Sequence, residues 1–221
     1  MNPRLERRLK IAVFGGTGST GQIVVREALL AGHDVVAFAR DPGKLEVAAA
    51  RLRVVEGQLT DEEAVERAVA GADAVISVLG PNGREEGRPL ARGTARILAA
   101  MKRHGVRRIV LTTTVSAPDP LDGSELKLSL MTQGIKLLRR PAYDDILGIA
   151  EAARASDRDW TIFRVPWLTG GPKTGRMRIG YLGKGMGALL ARANLGDFLV
   201  RQIEDPTWVR KAPMVCDDDA R

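Results

Sequence analysis

Residues 11–32 read IAVFGGTGSTGQIVVREALLAG, and the fold turns on them. An apolar run, Ile11–Phe14, enters a turn carrying Gly15, Gly16, Gly18 and Gly21, and an amphipathic pattern begins at once on Ser19. The string satisfies G-x-x-G-x-x-G through Gly15, Gly18 and Gly21, and equally G-x-G-x-x-G through Gly16, Gly18 and Gly21. The first glycine permits a tight turn, Gly18 lets the backbone approach a pyrophosphate, and Gly21 lets helix and strand pack closely. Backbone amides at the helix start, where the helix dipole is positive, then favour an anion. Thr17, Ser19 and Thr20 add hydroxyl donors. Strand, glycine turn and helix in this order are the context that a dinucleotide-binding turn needs.

The rest of the chain repeats that alternation. Short β-rich runs occur at Lys10–Phe14, Asp34–Ala39, Arg53–Val55, Asp73–Leu79, Arg107–Thr114 and Trp160–Val165. Helical patterns lie between them at Ser19–Ala31, Asp61–Ala70, Arg88–His104 and Leu126–Ser156. Runs that are apolar almost throughout read as strands covered on both faces. Alternating β and α elements imply parallel strands joined by right-handed crossovers. The expected fold is α/β, a Rossmann-like doubly wound parallel sheet forming a single domain over residues 1–221. Ser19-x-x-Gln22 and Thr60-x-x-Glu63 read as capping boxes, and Gly32, Gly71 and Gly105 stand where helices end in a left-handed residue. Pro141 is expected to kink or split the 126–156 pattern. Beyond Pro166 the regularity fades into GGPKTGRMRIGYLGKGMG, followed by a short helix near Asn194–Glu204 and an apolar run near Trp208–Val215. This tail is expected to fold over the sheet as a small cap, with residues 166–193 as a substrate-side loop region.

Composition narrows the function classes. With 221 residues a sizeable core is available, because a chain of this size buries about 70% of its unfolded surface. A single cysteine, Cys216, excludes an internal disulfide and fits a reducing compartment. Two distant histidines, His33 and His104, give no metal-ligand spacing, so no metal is expected. No apolar run approaches the roughly 18 residues of a membrane span, and the charged start MNPRLERRLK is not a secretory signal. A cytoplasmic protein with no membrane partner is the expectation. The net charge is +7, from 34 Lys and Arg against 27 Asp and Glu. The densest basic clusters, Arg4 to Lys10 and Lys102 to Arg108, sit beside strands, and only 4% of residues are aromatic. That pattern points to a solvated surface and a phosphate-bearing small ligand rather than to nucleic acid.

The second strand selects between dinucleotides. NAD-binding folds place an acidic residue at its end, about 20 residues beyond the turn, on the ribose hydroxyls. Here DVVAFAR ends in Arg40, with Lys44 close behind. A guanidinium there suits a 2′-phosphate, which it grips through two hydrogen bonds, so NADP is the expected cofactor. Asp41 follows at once and keeps NAD open. Leu79-Gly80-Pro81 lies after the fourth strand, where ligands of open α/β sheets gather.

The motifs GGTGSTG, AFARDPGKL, VVEGQLTD, DAVISVLGPNG, ILAAMKRHGVRRIVLTTTVSA and IFRVPWLTG resemble the atypical short-chain dehydrogenase/reductases with NAD(P)H-binding, NmrA-like domains. Within that group the chain is similar to the flavin reductase/biliverdin-IXβ reductase branch, over nearly its whole length from Lys10 to Val215. The resemblance implies that Gly15, Thr17, Gly18, Ser19 and Thr20 hold the pyrophosphate and that Arg40 and Lys44 hold the 2′-phosphate. It implies further that Gln58 and Leu59 line the adenine, although the family usually has Asp where Gln58 stands. Leu79 and Gly80 would pass along the adenosine ribose, Thr112 would lie near the nicotinamide ribose, and Pro166, Trp167 and Leu168 would border the nicotinamide.

Relatives of this kind often use a hydroxyl after strand five and a Tyr-x-x-x-Lys pair. Strand five here ends Thr112-Thr113-Thr114-Val115-Ser116, and Thr114 takes the place of the family's strand-end serine. Tyr143 has suitable spacing, but the fourth residue after it is Leu147, so the lysine that would activate it is missing. Thr114 and Tyr143 are the candidate catalytic residues, and Asp144 and Asp145 read as helix-face charges. In the flavin-reductase branch solvent can supply the proton, so the missing pair is compatible with reduction there. Ile146 replaces a histidine of some relatives, which argues against biliverdin itself. Trp167, Met177, Tyr181 and Met186 could form an apolar wall around a flat ring, but scattered core packing is the expected explanation. The glycines around them suggest a mobile loop. The leading expectation is an NADPH-dependent oxidoreductase reducing a flavin, quinone or similar flat acceptor, as a monomer or homodimer. The alternative is a non-catalytic NmrA-like sensor whose bound nucleotide regulates a protein partner; an epimerase or dehydratase is weakened by the absent Tyr-Lys pair.

Overall fold

The computed structural model describes residues 7–80, 87–123, 140–183 and 185–218. Its elements are β1 (Lys10–Phe14), α1 (Ser19–Leu30), β2 (Asp34–Ala39), β3 (Leu52–Glu56), α2 (Glu62–Val69), β4 (Ala74–Ser77), α3 (Pro89–Arg103) and β5 (Arg108–Thr114). They continue with α4 (Arg140–Ala155), β6 (Asp159–Val165), β7 (Trp167–Thr169), β8 (Met177–Gly180), β9 (Leu189–Ala191), α5 (Arg192–Arg201) and β10 (Met214–Asp217). The sheet runs β3-β2-β1-β4-β5-β6-β10-β8, and its first six strands have the doubly wound Rossmann order. All pairs among those six are parallel, and Phe14 lies level with Phe38 on one side and Ser77 on the other. The carboxyl ends of β1, β2 and β4 therefore open onto one edge, with the switch of direction between β1 and β4.

Side chains alternate across the strands and build two cores. Ala12 and Phe14 of β1 join Val65 of α2, Ile97 and Met101 of α3, and Ile149 of α4 on one face. Ile11 and Val13 join Val24 and Val25 of α1 and Leu195 and Leu199 of α5 on the other. Close helix contacts depend on glycine: a Cβ on Gly196 would lie 2.5 Å from Ile23, and one on Gly148 would lie 2.5 Å from the Ala91 Cβ.

The expected strands agree with the observed ones to within a residue, except that β4 stops at Ser77 and frees Val78 and Leu79 for the loop. Gly32, Gly71 and Gly105 have φ of 90°, 68° and 70°, as helix termination by a left-handed residue requires. Both capping boxes are corrected. Gly18 is the N-cap of α1 and makes no side-chain bond, while Gln22 reaches away to bond the Lys44 carbonyl and the Glu46 amide, each at 2.9 Å. At α2 the cap is Asp61, which accepts from the Ala64 amide at 3.0 Å, and not Thr60. The expected pattern from Leu126 to Arg139 lies outside the described residues, as does Pro81; Pro141 stands in the first described turn of α4. Part of the tail expected as a cap extends the sheet instead: β10 pairs with β6 and β8, and α5 packs on α1.

Candidate functional site

The glycine turn shows which of its two readings is physical. Gly15 has φ of +86°, and a Cβ there would stand 2.9 Å from the Val78 carbonyl oxygen, so the turn threads between β1 and the exit of β4. At Gly21 a Cβ would lie 1.9 Å from the Gly15 oxygen. Gly16 meets only ordinary contacts, at 3.4 Å and beyond. The demanding glycines are thus Gly15 and Gly21, the ends of G-x-x-G-x-x-G. The turn closes with the Gly18 amide donating to the Gly15 carbonyl at 3.1 Å.

Helix α1 opens without a side-chain cap and with no acidic residue in its first turn. The contrast with α3 is informative. There the buried Asp145 carboxylate accepts from the amides of Leu90 and Ala91 at 3.0 and 2.7 Å, sealing that helix end. Asp145 is therefore no helix-face charge, and its reach across 54 and 55 residues explains why sequence spacing missed it. Arg88, with φ of 57°, completes the junction through Glu151 and the Asp144 carbonyl. The first amides of α1 lack such a plug and suit an anion.

In front of the turn lies a cleft of about 620 Å³. Gly15, Thr17 and Gly18 form its base, Arg40 and Lys44 its β2 side, Gln58 and Leu59 its β3 side, and Leu79 and Gly80 its β4 side. Nine of the expected contact residues thus converge on one space. The β2 side is braced: Asp41 accepts from the Gly43 amide at 3.1 Å and pairs with Lys44 at 3.3 Å, and the Gln22 bridge ties this loop to α1. The cleft also includes Arg92 and Arg96 from α3, which the sequence reading missed. Their signal was available in RPLARGTAR, where arginines recur every fourth residue at 88, 92 and 96 of a helical pattern.

The other expected residues do not line this cleft. Ser19 and Thr20 stand in the first turn of α1 beside it. Thr112 and Thr114 lie at the carboxyl end of β5, where Thr114 hydrogen-bonds Ser116 and pairs in register with Val165, just before Pro166. Leu168 is half-buried in β7, while Trp167 beside it is 78% exposed. Tyr143 is buried within α4. The apolar wall does not assemble: Met177 packs into the α1–α5 core, and Met186 packs with Leu182, Met214 and Cys216.

Around the ends of β5 and β6 a buried charge organises the loops. Arg164 is fully buried and bonds both Asp122 oxygens at 2.6 Å, the Ala212 carbonyl at 2.7 Å and the Ala117 carbonyl at 3.1 Å. Burial alone would raise the Asp122 pKa, but hydrogen bonds and charge from Arg164, with the Asp119 and Leu182 amides, hold it below the usual carboxylate value. Burial pushes the Tyr181 phenol up, reinforced by Asp119. The start of the glycine-rich stretch is tied to α1 and α5: Lys173 bridges Glu27 at 2.8 Å and Asp197 at 2.9 Å, and Asn194 accepts from the amides of Thr174 and Gly175. Among the described residues no cluster of His, Cys, Asp and Glu is suited to a metal, and no helix is long and apolar enough to cross a membrane.

Comparison with known proteins agrees with this geometry. A family model described as NAD(P)H-binding matches residues 15–206. The 2-alkyl-3-oxoalkanoate reductase of Stenotrophomonas maltophilia is 36% identical over 128 residues, 52% of this chain and 37% of that protein. Tetraketide alpha-pyrone reductase 1 of Arabidopsis thaliana is 31% identical over 138 residues, 55% of this chain and 42% of that protein. The chain thus matches well under two thirds of the length of either relative. Among solved structures, an anaerobillin reductase from Escherichia coli O157:H7 has a TM-score of 0.78 at 18% identity, covering 96% of this chain and 98% of that one. A wide-type short-chain dehydrogenase/reductase from Veillonella parvula, in complex with NADP, has a TM-score of 0.74 at 18% identity, covering 96% of both chains. These two likenesses establish the Rossmann-like fold.

Proposed function

Because the chain belongs to the NAD(P)H-binding family, we propose that it is an NADPH-dependent reductase that passes hydride to a flat small-molecule acceptor such as a flavin or quinone. The observation that carries this reading is the convergence of the uncapped α1 turn with Arg40 and Lys44 on one cleft. The reductases among its sequence relatives support the reaction class.

Each part of the site has a role in this reading. Amides of the turn, with Thr17, Ser19 and Thr20, hold the pyrophosphate, and glycine at positions 15 and 21 keeps the turn tight enough to present them. Arg40 and Lys44 take the 2′-phosphate. Gln58 and Leu59 flank the adenine, and Leu79 and Gly80 follow the adenosine ribose. Thr112, Pro166, Trp167 and Leu168 edge the nicotinamide, which when bound supplies the hydride. Thr114, whose hydroxyl is oriented by Ser116, meets the acceptor. Tyr143 has no lysine four residues on and is buried, so solvent delivers the proton. In this reading the β6–β7 junction at residues 166–169 borders the acceptor, and a reducing, cytoplasmic compartment suits the single buried Cys216.

The missing Tyr-Lys pair also favours a second reading, a nucleotide sensor without turnover. Mixing the protein with NADPH and FMN, FAD or a quinone while following the nicotinamide absorbance separates the two. Turnover that disappears in Thr17→Trp, which fills the base of the cleft, supports the reductase. Tight NADPH binding without turnover on any acceptor overturns it in favour of the sensor.

A further inference from the structure

Many arginines of this surface are committed to partners. Arg8 pairs with Asp34, Arg88 with Glu151, Arg107 with Asp159, Arg154 with Asp119 and Arg178 with Asp218. Arg92 is exposed, and among the described residues no hydrogen bond or ion pair holds its guanidinium. Arg96, one turn along α3, lines the same cleft and approaches Glu62 only to 3.9 Å. Between them Gly93 presses on the loop after β3, for a Cβ there would lie 2.7 Å from Leu59 Cδ1. Arg92 and Arg96 thus line the α3 side of the cleft one turn apart, on the helix that packs against Leu59. Like charges four residues apart on a helix repel each other, and Arg40 and Lys44 add two more cations to the same space. An anion between the walls turns that repulsion into attraction.

We propose that Arg92, supported by Arg96, is a second selectivity element for the 2′-phosphate, closing on it from α3 while Arg40 and Lys44 hold it from the β2 side. The inference rests on the NADPH reading above and adds a residue from outside the strand-two region, where the choice between dinucleotides is ordinarily made. It makes the Asp145 cap a positioning contact, since that carboxylate fixes the start of the helix that carries Arg92.

The test uses adenosine 2′,5′-bisphosphate and 5′-AMP as probes, titrated into the full chain by calorimetry, so that no turnover is required. The wild type is expected to prefer the bisphosphate. Arg92→Ala is expected to weaken the bisphosphate at least tenfold and 5′-AMP less than threefold, with Arg92→Lys in between because it keeps the charge and loses the planar fork. Arg26→Ala, an exposed arginine of α1 outside the cleft, controls for net charge and is expected to change neither. Equal weakening of both probes, as stacking on adenine alone would produce, overturns the role of Arg92 while leaving the NADPH reading intact. No effect on either probe does the same. A wild type that binds both probes alike overturns the NADPH preference itself.

Discussion

Replacing Gly21 by Ala sets two effects of opposite sign against each other. Gly21 is the third residue of α1, where Ala is ordinarily the better helix former by about 1 kcal/mol. In this structure, however, the new Cβ would stand 1.9 Å from the Gly15 carbonyl oxygen and 2.8 Å from the Gly16 Cα. Both atoms belong to backbone, so relief requires the turn to move by more than an ångström, and overpacking of this kind costs up to about 3 kcal/mol. The net expectation is a loss of about 2 kcal/mol, or roughly 4–8 °C in the unfolding midpoint for a chain of this length. Gly16→Ala is the matched control, because its Cβ meets Val25 and Ala37 side chains at 3.4 and 3.5 Å, which is ordinary contact. Thermal unfolding followed by circular dichroism measures both variants. Gly21→Ala should unfold early and Gly16→Ala close to the wild type. Equal midpoints for Gly21→Ala and wild type would refute the close helix–turn contact on which the phosphate cradle depends.

Two further outcomes follow from carboxylates that hold distant partners. Asp145→Ala uncaps α3 and should cost about 1–2 kcal/mol in denaturant unfolding, together with a loss of dinucleotide affinity through the shifted α3 wall. Asp122 has a folded-state pKa held below its ordinary value, so its contribution is present at neutral pH and is lost as pH falls through that lowered value. The wild type should therefore lose stability on acidification below about pH 4. Arg164→Met, which strips the half-buried Asp122 of its cation, should cost about 3 kcal/mol at pH 7 and flatten that acid limb; an unchanged pH profile in the variant would contradict the pairing.

What was legible in the sequence was local or periodic. The strands announced themselves by apolar runs because both faces of a parallel sheet are covered, and Gly32, Gly71 and Gly105 by the left-handed backbone that ends a helix. The glycine turn was legible down to its fold context, but choosing Gly15 over Gly16 needed the Val78 carbonyl, a neighbour from the loop after β4. Side chains with distant partners were misread for the same reason. Gln22 satisfies the loop after β2 instead of its own helix end, and Asp145 caps a helix more than fifty residues earlier. Met177 and Met186 follow the scattered packing expected of them, since β8 and the segment after it send them to separate cores. Arg92 was missed because a charged residue on an exposed helix face becomes a site residue only when another element forms the opposite wall.

Calorimetric titration of the folded chain with NADPH tests the central claim directly, with Arg40→Ala and NADH as companions. The account predicts saturable binding at one site per chain, with Arg40→Ala weakening NADPH far more than NADH. Absence of a binding signal for both coenzymes would contradict the assignment of the α1 turn as their pyrophosphate site.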